Sequence, residues 1–373
     1  MSLPNRIALV HDWLVTMRGG EKCFEVLCEL FPNAEVFTVV HKKGALSPPI
    51  ERMNIHTSFL QRMPFGVSHY QRYLPMLPNA IEQFDLKDFE LVISSSHAVA
   101  KGVRPGKNAP HICYCHTPMR YIWDQYEQYF GKDRAGLVTR AAIRVLLPKL
   151  RRWDIETAQL VHRFVANSRN VQERIRRIYN RPAEVIYPPV DVGQFTPSSE
   201  EEGYYLIVSA LVPYKRIDIA IEAFNALGEK LVIVGTGSEM PRFQRMASSN
   251  IEFTGWVDDT RLVRYYQGCR SLIFPGEEDF GIAPVEAMAC GKPVVAFGRG
   301  GALETVVDSG DFSTGVFFHH QTAESLIEAV RQLERRSFDP LRLQAHALRF
   351  DRSVYKQRML EFVKQSWDEW ISQ

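Results

Sequence analysis

The stretch FPGEEDFGIAPVEAMACGKPVVA, residues 274–296, decides the fold because it predicts a strand end, a turn, a helix and a second strand in succession. Pro275 and Gly276 end the first strand, and Gly281 opens the helix. Pro284 fits the first helical turn, where no N–H donor is needed, and Pro293 prevents the helix from continuing. The apolar residues after Pro293 then predict a short buried strand, so the stretch is one unit of an α/β sheet.

Two carboxylates stand at fixed places on this unit. Glu278 lies in the turn and Glu286 lies in the helix. The free N–H groups near Gly281 and Ile282 can hold a phosphate, and each carboxylate can accept a hydrogen bond from a sugar hydroxyl. Two glutamates alone are weak evidence, since an ordinary βαβ unit also carries them. Their layout around a helix start nevertheless suits a ligand with an anionic middle and hydroxyls at both ends, such as a nucleotide sugar.

The wider pattern is more specific than the two glutamates. The run Glu-Asp-Phe-Gly at 278–281, followed by Pro-x-Glu-Ala-Met-Ala-x-Gly-x-Pro-Val-Val from 284, resembles the signature of glycosyltransferase family 4. The resemblance implies a GT-B fold: α/β, with two Rossmann-like doubly wound domains facing a central cleft and a C-terminal helix crossing back to the first domain. It also implies a nucleotide-diphosphate-sugar donor and retention of the anomeric configuration.

The composition of the chain is compatible with a two-domain protein of this kind. The chain has 373 residues, 45% hydrophobic content and a formal net charge of +2, which allows two ordinary cores and demands neither nucleic acid nor membrane. The spacing of its six cysteines predicts no disulfide framework. No apolar run reaches membrane-spanning length, and the N-terminus lacks a signal-peptide pattern. We therefore expect a cytoplasmic protein, with peripheral contact at the inner face of the membrane left open.

The domain boundary is predicted where composition changes. Strands and helices alternate up to Asp191, which argues for a parallel sheet covered on both faces. A polar stretch with Gly193 and Pro197 follows, and the alternation then resumes. We predict a first domain of residues 1–190 plus 351–373, on the acceptor side, and a nucleotide-sugar domain of residues 191–350.

A glycine loop follows the first predicted strand. Arg18-Gly19-Gly20-Glu21 opens an amphipathic helix at the edge where open α/β sheets bind ligands. The loop lacks the spacing of a dinucleotide fingerprint, which argues against a nicotinamide-dependent oxidoreductase. The glycines fit a tight turn equally well. The family resemblance implies that Gly19 and Gly20 approach the donor diphosphate and that Glu21 lies on the acceptor side.

The segment His111-Ile-Cys-Tyr-Cys-His116 contains four side chains that could bind a metal, but its pattern does not predict a metal site. In a strand, alternation places His111 and the two cysteines on one face and His116 on the other, which splits the ligands. We expect no metal and no cofactor. His116 stands at the strand's carboxyl end, and it resembles the family's histidine near the donor sugar, which implies a catalytic role. Arg120 follows and is assigned to the acceptor side.

Residues 134–152 predict a helix that is both basic and apolar. Solvated arginines around a core stripe are the interpretation favoured by this pattern, and contact with an anionic membrane is the alternative. Pro148 is predicted to break this helix.

Lys215 and Arg216 lie in a strand-to-helix loop of the second domain, where they can neutralise a diphosphate. Family members usually carry an arginine before this lysine, whereas Ser209 and Ala210 stand here. Lys215 matches the family's phosphate-binding lysine, and whether Arg216 compensates for the missing arginine is left open. The resemblance implies that Glu278 binds the sugar hydroxyls and Glu286 the ribose. The remaining donor-binding residues that it implies are Gly235, Trp256, Val257, Asp279, Phe280, Gly281, Ile282 and Ala283.

The sugar is predicted from two further runs. VSALVPYKRIDIAIEAF, residues 208–224, together with GGALETV, residues 300–306, looks most like bacterial mannosyltransferases of polysaccharide assembly. This implies GDP-mannose as the donor and a glycan or lipid-linked glycan as the acceptor, without nucleic acid as a partner. A UDP-hexose donor remains an alternative, as does a UDP-sugar epimerase of the same fold.

Overall fold

A computed structural model describes residues 3–123, 137–309 and 312–372. The chain divides into two compact units. Unit 1 comprises Met1–Pro189 together with Tyr355–Gln373, and unit 2 comprises Val190–Val354.

Unit 1 contains a seven-stranded sheet with the order β3-β2-β1-β4-β5-β6-β7, and neighbouring strands pair in parallel. Its strands are β1 Ile7–His11, β2 Glu35–Thr38, β3 Asn54–Thr57, β4 Leu91–Ser96, β5 His111–Cys115, β6 Arg163–Ala166 and β7 Ala183–Val185. The central strands are buried apolar runs, as expected when helices cover both faces. The chain order of the first six strands is that of a doubly wound Rossmann-like sheet.

The helices of unit 1 are α1 Gly19–Leu30, α2 Pro48–Glu51, α3 Leu77–Glu82, α4 Leu137–Ala158 and α5 Arg169–Tyr179, together with most of the C-terminal helix, α13 Arg352–Ile371. Tyr355, Met359, Phe362 and Val363 of α13 are buried in the same core as β1 and α1. Their spacing of three and four residues keeps them on one helical face. The expectation that the last helix returns to the first domain is therefore confirmed.

The prediction that Pro148 breaks its helix is wrong, since α4 continues through it. Proline removes one N–H donor and frees the carbonyl of Arg144, but both residues are on the exposed side, where water can replace the lost bond. Leu150, buried in the core of unit 1, holds the next turn in place. The side chains of residues 137–142 and all of residues 124–136, including the predicted basic start of this helix, lie outside the described residues.

Unit 2 repeats the architecture with a six-stranded parallel sheet in the order β10-β9-β8-β11-β12-β15. Its strands are β8 Tyr204–Val208, β9 Lys230–Val234, β10 Ile251–Gly255, β11 Cys269–Phe274, β12 Val294–Phe297 and β15 Gly315–Phe318, and β13 Asp308–Ser309 pairs antiparallel with β14 Phe312–Ser313 in a separate small sheet. Its helices are α6 Ile217–Leu227, α7 Met240–Met246, α8 Asp259–Gly268, α9 Ile282–Ala289, α10 Ala302–Thr305, α11 Ala323–Glu334 and α12 Pro340–Ala347. Both sheets are parallel, so ligand sites are expected at their carboxyl edges.

All six cysteines are buried, and none of them forms a disulfide. Among the described helices, none combines the length and the apolar character needed to cross a bilayer.

Candidate functional site

In unit 2, the two residues on which the sequence prediction depends are in contact. Lys215 ends a 3₁₀ turn after β8, Glu278 lies after β11, and the Lys215 Nζ forms an ion pair with the Glu278 Oε1. β8 and β11 are neighbours in the sheet, which brings their carboxyl ends to one edge. Only 14% of the Lys215 side chain and 20% of the Glu278 side chain are exposed. A partly desolvated cation at the carboxyl edge of the sheet is therefore next to the predicted helix start.

Three glycines hold the Glu278 turn in place. A Cβ on Gly276 would lie 3.0 Å from the Lys215 Cα, so the close approach of the two loops depends on glycine. Gly300 has φ of +63°, and a Cβ there would lie 2.4 Å from the carbonyl oxygen of Glu278. The next N–H, that of Gly301, donates to the same carbonyl at 2.8 Å. The glycine pair after β12 thus fixes the backbone that presents the Glu278 side chain.

Helix α9 begins directly after this turn, with Gly281 as its N-cap at φ of +88°. Its first amides have no acceptor within the helix, so they are available to an anion. Glu286 on this helix is 7% exposed, and its Oε2 accepts a hydrogen bond of 2.7 Å from the Tyr266 hydroxyl. Burial, followed by the negative charge of Glu286, raises the pKa of Tyr266 well above its ordinary value, so this hydroxyl stays a donor. Glu286 is therefore a buried, oriented carboxylate.

Arg216 has a different environment from Lys215. Its Nε lies 3.2 Å from Oδ1 of Asp218, and its Nη1 donates to the Gln321 side chain at 3.3 Å. Gln321 in turn donates to the carbonyl of Pro275 at 3.1 Å. The guanidinium thus links three loop segments, and its charge is partly neutralised by Asp218. Compensation by Arg216 for the missing family arginine stays a prediction.

The other residues predicted to bind the donor surround the same edge or support it. Gly235 follows β9, and its N–H donates to the carbonyl of Gly255 at 2.8 Å, which brings the ends of β9 and β10 together. Trp256 is 77% exposed, whereas Val257 beside it is buried. Asp279 and Phe280 are buried, and Ile282 and Ala283 are half-buried at the start of α9.

Unit 1 holds a second group of polar residues at the carboxyl edge of its own sheet. Asp12, fully buried after β1, accepts backbone N–H bonds on both oxygens: Oδ2 from His97 at 2.6 Å and Ala98 at 3.1 Å, and Oδ1 from Val99 at 2.5 Å and Ala100 at 2.6 Å. Its Oδ2 also lies 3.0 Å from Nδ1 of His97. Asp12 therefore anchors the whole turn after β4.

The two charges of this anchor stabilise each other. Burial by itself raises the pKa of Asp12, but the charge and hydrogen bonds of His97 outweigh it, and the pKa lies well below its ordinary value. Burial by itself lowers the pKa of His97, yet the Asp12 carboxylate more than reverses this and the pKa is raised. Below pH 6.5, the pair is therefore an ionised carboxylate facing an imidazolium.

His116 lies beside this anchor and is held by Ser95. The Ser95 Oγ is 2.8 Å from Nε2 of His116 and 3.1 Å from Nδ1 of His11. Burial, then the charge of His97, holds the pKa of His116 well below its ordinary value, so its ring is neutral. A Cβ on Gly20 would lie 3.8 Å from Nε2 of His116, so the glycine start of α1 is next to this ring.

The remaining predicted residues of unit 1 have clear positions. Gly19 begins α1, and Glu21 in its first turn accepts from the N–H of Arg18 at 3.1 Å. Glu21 is 4% exposed, and its Oε1 lies 3.9 Å from Nε2 of His11. Arg120 is half-buried in the loop after β5. Within residues 3–123, 137–309 and 312–372, no cluster of three or more His, Cys, Asp or Glu side chains has the arrangement of a metal site.

Sequence reasoning missed Asp12, Ser95 and His97. The signal that could have found them is the pairing of β1 with β4, which sets His11 opposite Ser95. Polar residues at the carboxyl ends of two neighbouring strands meet at one edge of the sheet. His11-Asp12-Trp13 at the end of β1 and Ser94-Ser95-Ser96-His97 at the end of β4 therefore indicate one site once the strand order is known.

Two family models match the chain and together span residues 17–348. The model described as Glycosyltransferase Family 4 matches residues 17–194, and the model described as Glycosyl transferases group 1 matches residues 193–348. The first therefore covers most of unit 1, and the second covers nearly all of unit 2.

Curated relatives are similar at modest identity. The alpha-1,3/1,6-mannosyltransferase ALG2 of Saccharomyces cerevisiae is 25% identical over 329 residues, which cover 71% of this chain and 61% of that protein. The O-antigen chain mannosyltransferase RfbU of Salmonella typhimurium is 29% identical over 140 residues, covering 34% of this chain and 40% of that protein. The chain spans less than half the length of several other curated relatives that it matches.

Solved structures share the fold. HepE of Anabaena, whose crystal structure contains UDP and glucose, aligns with a TM-score of 0.71 at 18% identity over 97% of this chain and 100% of that chain. Similarity at this identity supports the two-domain GT-B architecture.

Proposed function

This chain belongs to glycosyltransferase family 4, and we propose that it transfers mannose from GDP-mannose to a glycan or lipid-linked glycan acceptor in surface polysaccharide synthesis. The observation that carries the donor site is the Lys215–Glu278 contact beside the start of α9. It combines a cation and free helix amides for a diphosphate with a carboxylate for a sugar hydroxyl.

The proposed mechanism follows from where charge develops. As the bond to the anomeric carbon breaks, the leaving diphosphate gains negative charge, and donors aimed at it stabilise the transition state more than the ground state. In this proposal, Lys215 and the amides of Gly281 and Ile282 would supply these donors. Glu278 would bind the sugar hydroxyls and Glu286 the ribose, and the part proposed for His116 near the donor sugar rests on the family resemblance alone.

Retention of configuration is part of the proposal. The family retains the anomeric configuration, and we assign departure and attack to the same face of the sugar. In this scheme Lys215 and the helix start stabilise the diphosphate charge, so we propose no metal and no cofactor.

The assignment of mannose rests on relatives. ALG2 and RfbU are named mannosyltransferases, whereas HepE was solved with UDP and glucose, so a UDP-hexose donor is the second candidate. A UDP-sugar epimerase of the same fold would release altered or free sugar without an acceptor. Product analysis by mass spectrometry without and with a glycan acceptor separates that activity from transfer.

We expect GDP to raise the melting temperature more than UDP. A ligand that binds only the native protein stabilises it by about 2.7 kcal/mol at 100 times its Kd, which corresponds to roughly 5 °C or more for a unit of this size. Differential scanning fluorimetry with GDP, UDP, GDP-mannose and UDP-glucose measures the shifts. A larger shift with UDP would overturn the mannose assignment.

We expect Glu278→Gln to bind GDP more tightly than the wild type while losing sugar transfer. In the protein without donor, Glu278 pairs with the Lys215 that a diphosphate would use, so the two anions compete for one cation. Removing the competing charge should improve GDP affinity roughly fivefold, the equivalent of about 1 kcal/mol for a partly exposed pair. Isothermal titration calorimetry measures the Kd, with Glu277→Gln as the neighbouring control. Weaker GDP binding by Glu278→Gln would contradict this competition.

A further inference from the structure

Three polar residues of unit 1, namely Glu21, His11 and Ser95, form a series of neighbours that ends at His116. The Ser95 hydroxyl bridges the two imidazoles, at 2.8 Å from Nε2 of His116 and 3.1 Å from Nδ1 of His11. On the far side of His11, Nε2 is fully buried without a hydrogen-bond partner, and the Oε1 of Glu21 lies 3.9 Å from it. Glu21, His11, Ser95 and His116 thus follow one another within one unit, with hydrogen-bond distances on both sides of Ser95 and a longer ion-pair distance between Glu21 and His11.

The single proton of the Ser95 hydroxyl couples the two rings. When this hydroxyl donates to one imidazole nitrogen, its oxygen is left to accept from the other. The tautomer of His11 therefore determines the tautomer of His116. A serine between two imidazoles transmits a proton position, which an apolar residue of similar size could not do.

Glu21 decides the direction of this coupling. Burial by itself raises the pKa of Glu21, but the imidazoles of His11 and His97 bring it below its ordinary value, so the buried carboxylate is ionised. Its negative charge beside Nε2 of His11 favours the tautomer with the proton on that nitrogen. The Nδ1 of His11 then accepts from Ser95, and the Ser95 oxygen accepts from Nε2–H of His116.

We propose that Glu21, His11 and Ser95 form a positioning relay that fixes the His116 ring in the tautomer with its proton on Nε2, leaving Nδ1 as a hydrogen-bond acceptor. A neutral acceptor nitrogen suits a hydroxyl of the donor sugar, which can donate to it. The inference rests on the proposed function for its catalytic consequence, whereas the tautomer itself is a property of the protein without substrate. All three relay residues act through His116 and are positioning residues.

The test is nuclear magnetic resonance of the intact protein labelled with ¹⁵N-histidine. Two-bond nitrogen–proton correlations, recorded at about pH 8 where most histidines are neutral, distinguish the two tautomers of each ring. A His116→Gln spectrum assigns the signal. The wild type is expected to show a single Nε2–H tautomer for His116, and Ser95→Ala and Glu21→Gln are each expected to give a mixture. Glu21→Gln keeps an oxygen that can accept from the Arg18 N–H, so the start of α1 is preserved.

The matched control is Ser94→Ala. Ser94 precedes Ser95 in β4, is equally buried, and its hydroxyl lies 2.8 Å from Nε2 of a different histidine, His111. This variant should leave the His116 signal and the turnover unchanged. Ser95→Ala should lower kcat for GDP-mannose hydrolysis roughly tenfold or more, the usual cost of losing a group that orients a site residue.

The outcomes separate the two claims. An Nδ1–H tautomer for His116 in the wild type, or the wild-type tautomer retained in Ser95→Ala, would overturn the relay whatever the substrate. The expected tautomers in a protein that turns over no nucleotide sugar would support the relay and contradict the proposed function.

Discussion

Lys215→Ala is expected to lower kcat by roughly 100- to 1,000-fold, equivalent to about 3–4 kcal/mol of barrier, as for removal of one donor to a developing oxyanion. The lysine is the cation that pairs with Glu278 at the start of α9, and the diphosphate gains its charge as the sugar departs. The folded state should be little affected, because the Glu278 carboxylate that loses its partner is 20% exposed and can be hydrated. Release of GDP from GDP-mannose measures the rate.

The control for this variant is Lys230→Ala in the same unit. Lys230 also pairs with a glutamate, Glu252 at 3.4 Å, but both side chains are about half exposed and lie at the starts of β9 and β10. Such surface pairs contribute little, so the control should keep its turnover and melting temperature. A wild-type rate in Lys215→Ala would remove the lysine from the active site.

Asp12→Asn is expected to destabilise unit 1 by about 3–5 kcal/mol, the usual cost of breaking a buried charge pair. Each carboxylate oxygen accepts two backbone N–H groups, at 2.5–3.1 Å. An asparagine amide would turn an N–H₂ group toward two of these donors and would also remove the carboxylate that raises the pKa of His97. The turn after β4 should therefore be the first part of unit 1 to loosen.

Hydrogen exchange locates this effect. The amides of residues 97–100 should exchange roughly 100-fold faster or more in Asp12→Asn, because their acceptors are lost. Asp88→Asn serves as the control. The Asp88 side chain is 79% exposed, and its ion pair with Arg6 is long, at 3.8 Å, so its loss should have little effect. Unchanged exchange of residues 97–100 would show that the carboxylate does not hold this turn.

The same pair sets a pH dependence. The pKa of Asp12 is lower in the folded protein than its ordinary value of 3.8, so its contribution is present above that value and is lost as pH falls through the folded pKa. The pKa of His97 is raised above 6.5, so its contribution is present below 6.5 and is lost as pH rises through the folded pKa. Asp12→Asn should flatten both limbs of the wild-type profile of melting temperature against pH.

The positions of the predicted donor-binding residues in unit 2 can be inferred from sequence because the signals are local. Lys215 and Glu278 each follow a clear apolar strand, and both loops carry residues that permit only a turn. The carboxyl ends of neighbouring parallel strands meet at one edge of the sheet, so the adjacency of the two strands is enough to predict the contact between Lys215 and Glu278. The exposure of Trp256 and the Asp218 partner of Arg216 depend on side-chain packing, which the pattern does not contain.

The polar group of unit 1 is only partly predictable. His116 follows from the family pattern, but the hydrogen bond of Ser95 to His11 joins residues 84 positions apart, and it depends on the register of β1 and β4. The edge strand β3 was also missed. Its sequence Asn-Ile-His-Thr is polar because it borders the sheet, and His56 is held there by Glu35 at 2.7 Å.

The buried thiols have a practical consequence for labelling the protein at chosen positions. Burial raises the pKa of Cys290 to about 12 and raises those of Cys28 and Cys269 further above their ordinary values, so these sulfurs stay protonated and shielded from alkylating reagents. Maleimide dyes should therefore react almost entirely with cysteines introduced on the surface. A single cysteine introduced on the surface of either unit would therefore carry a dye at one known position.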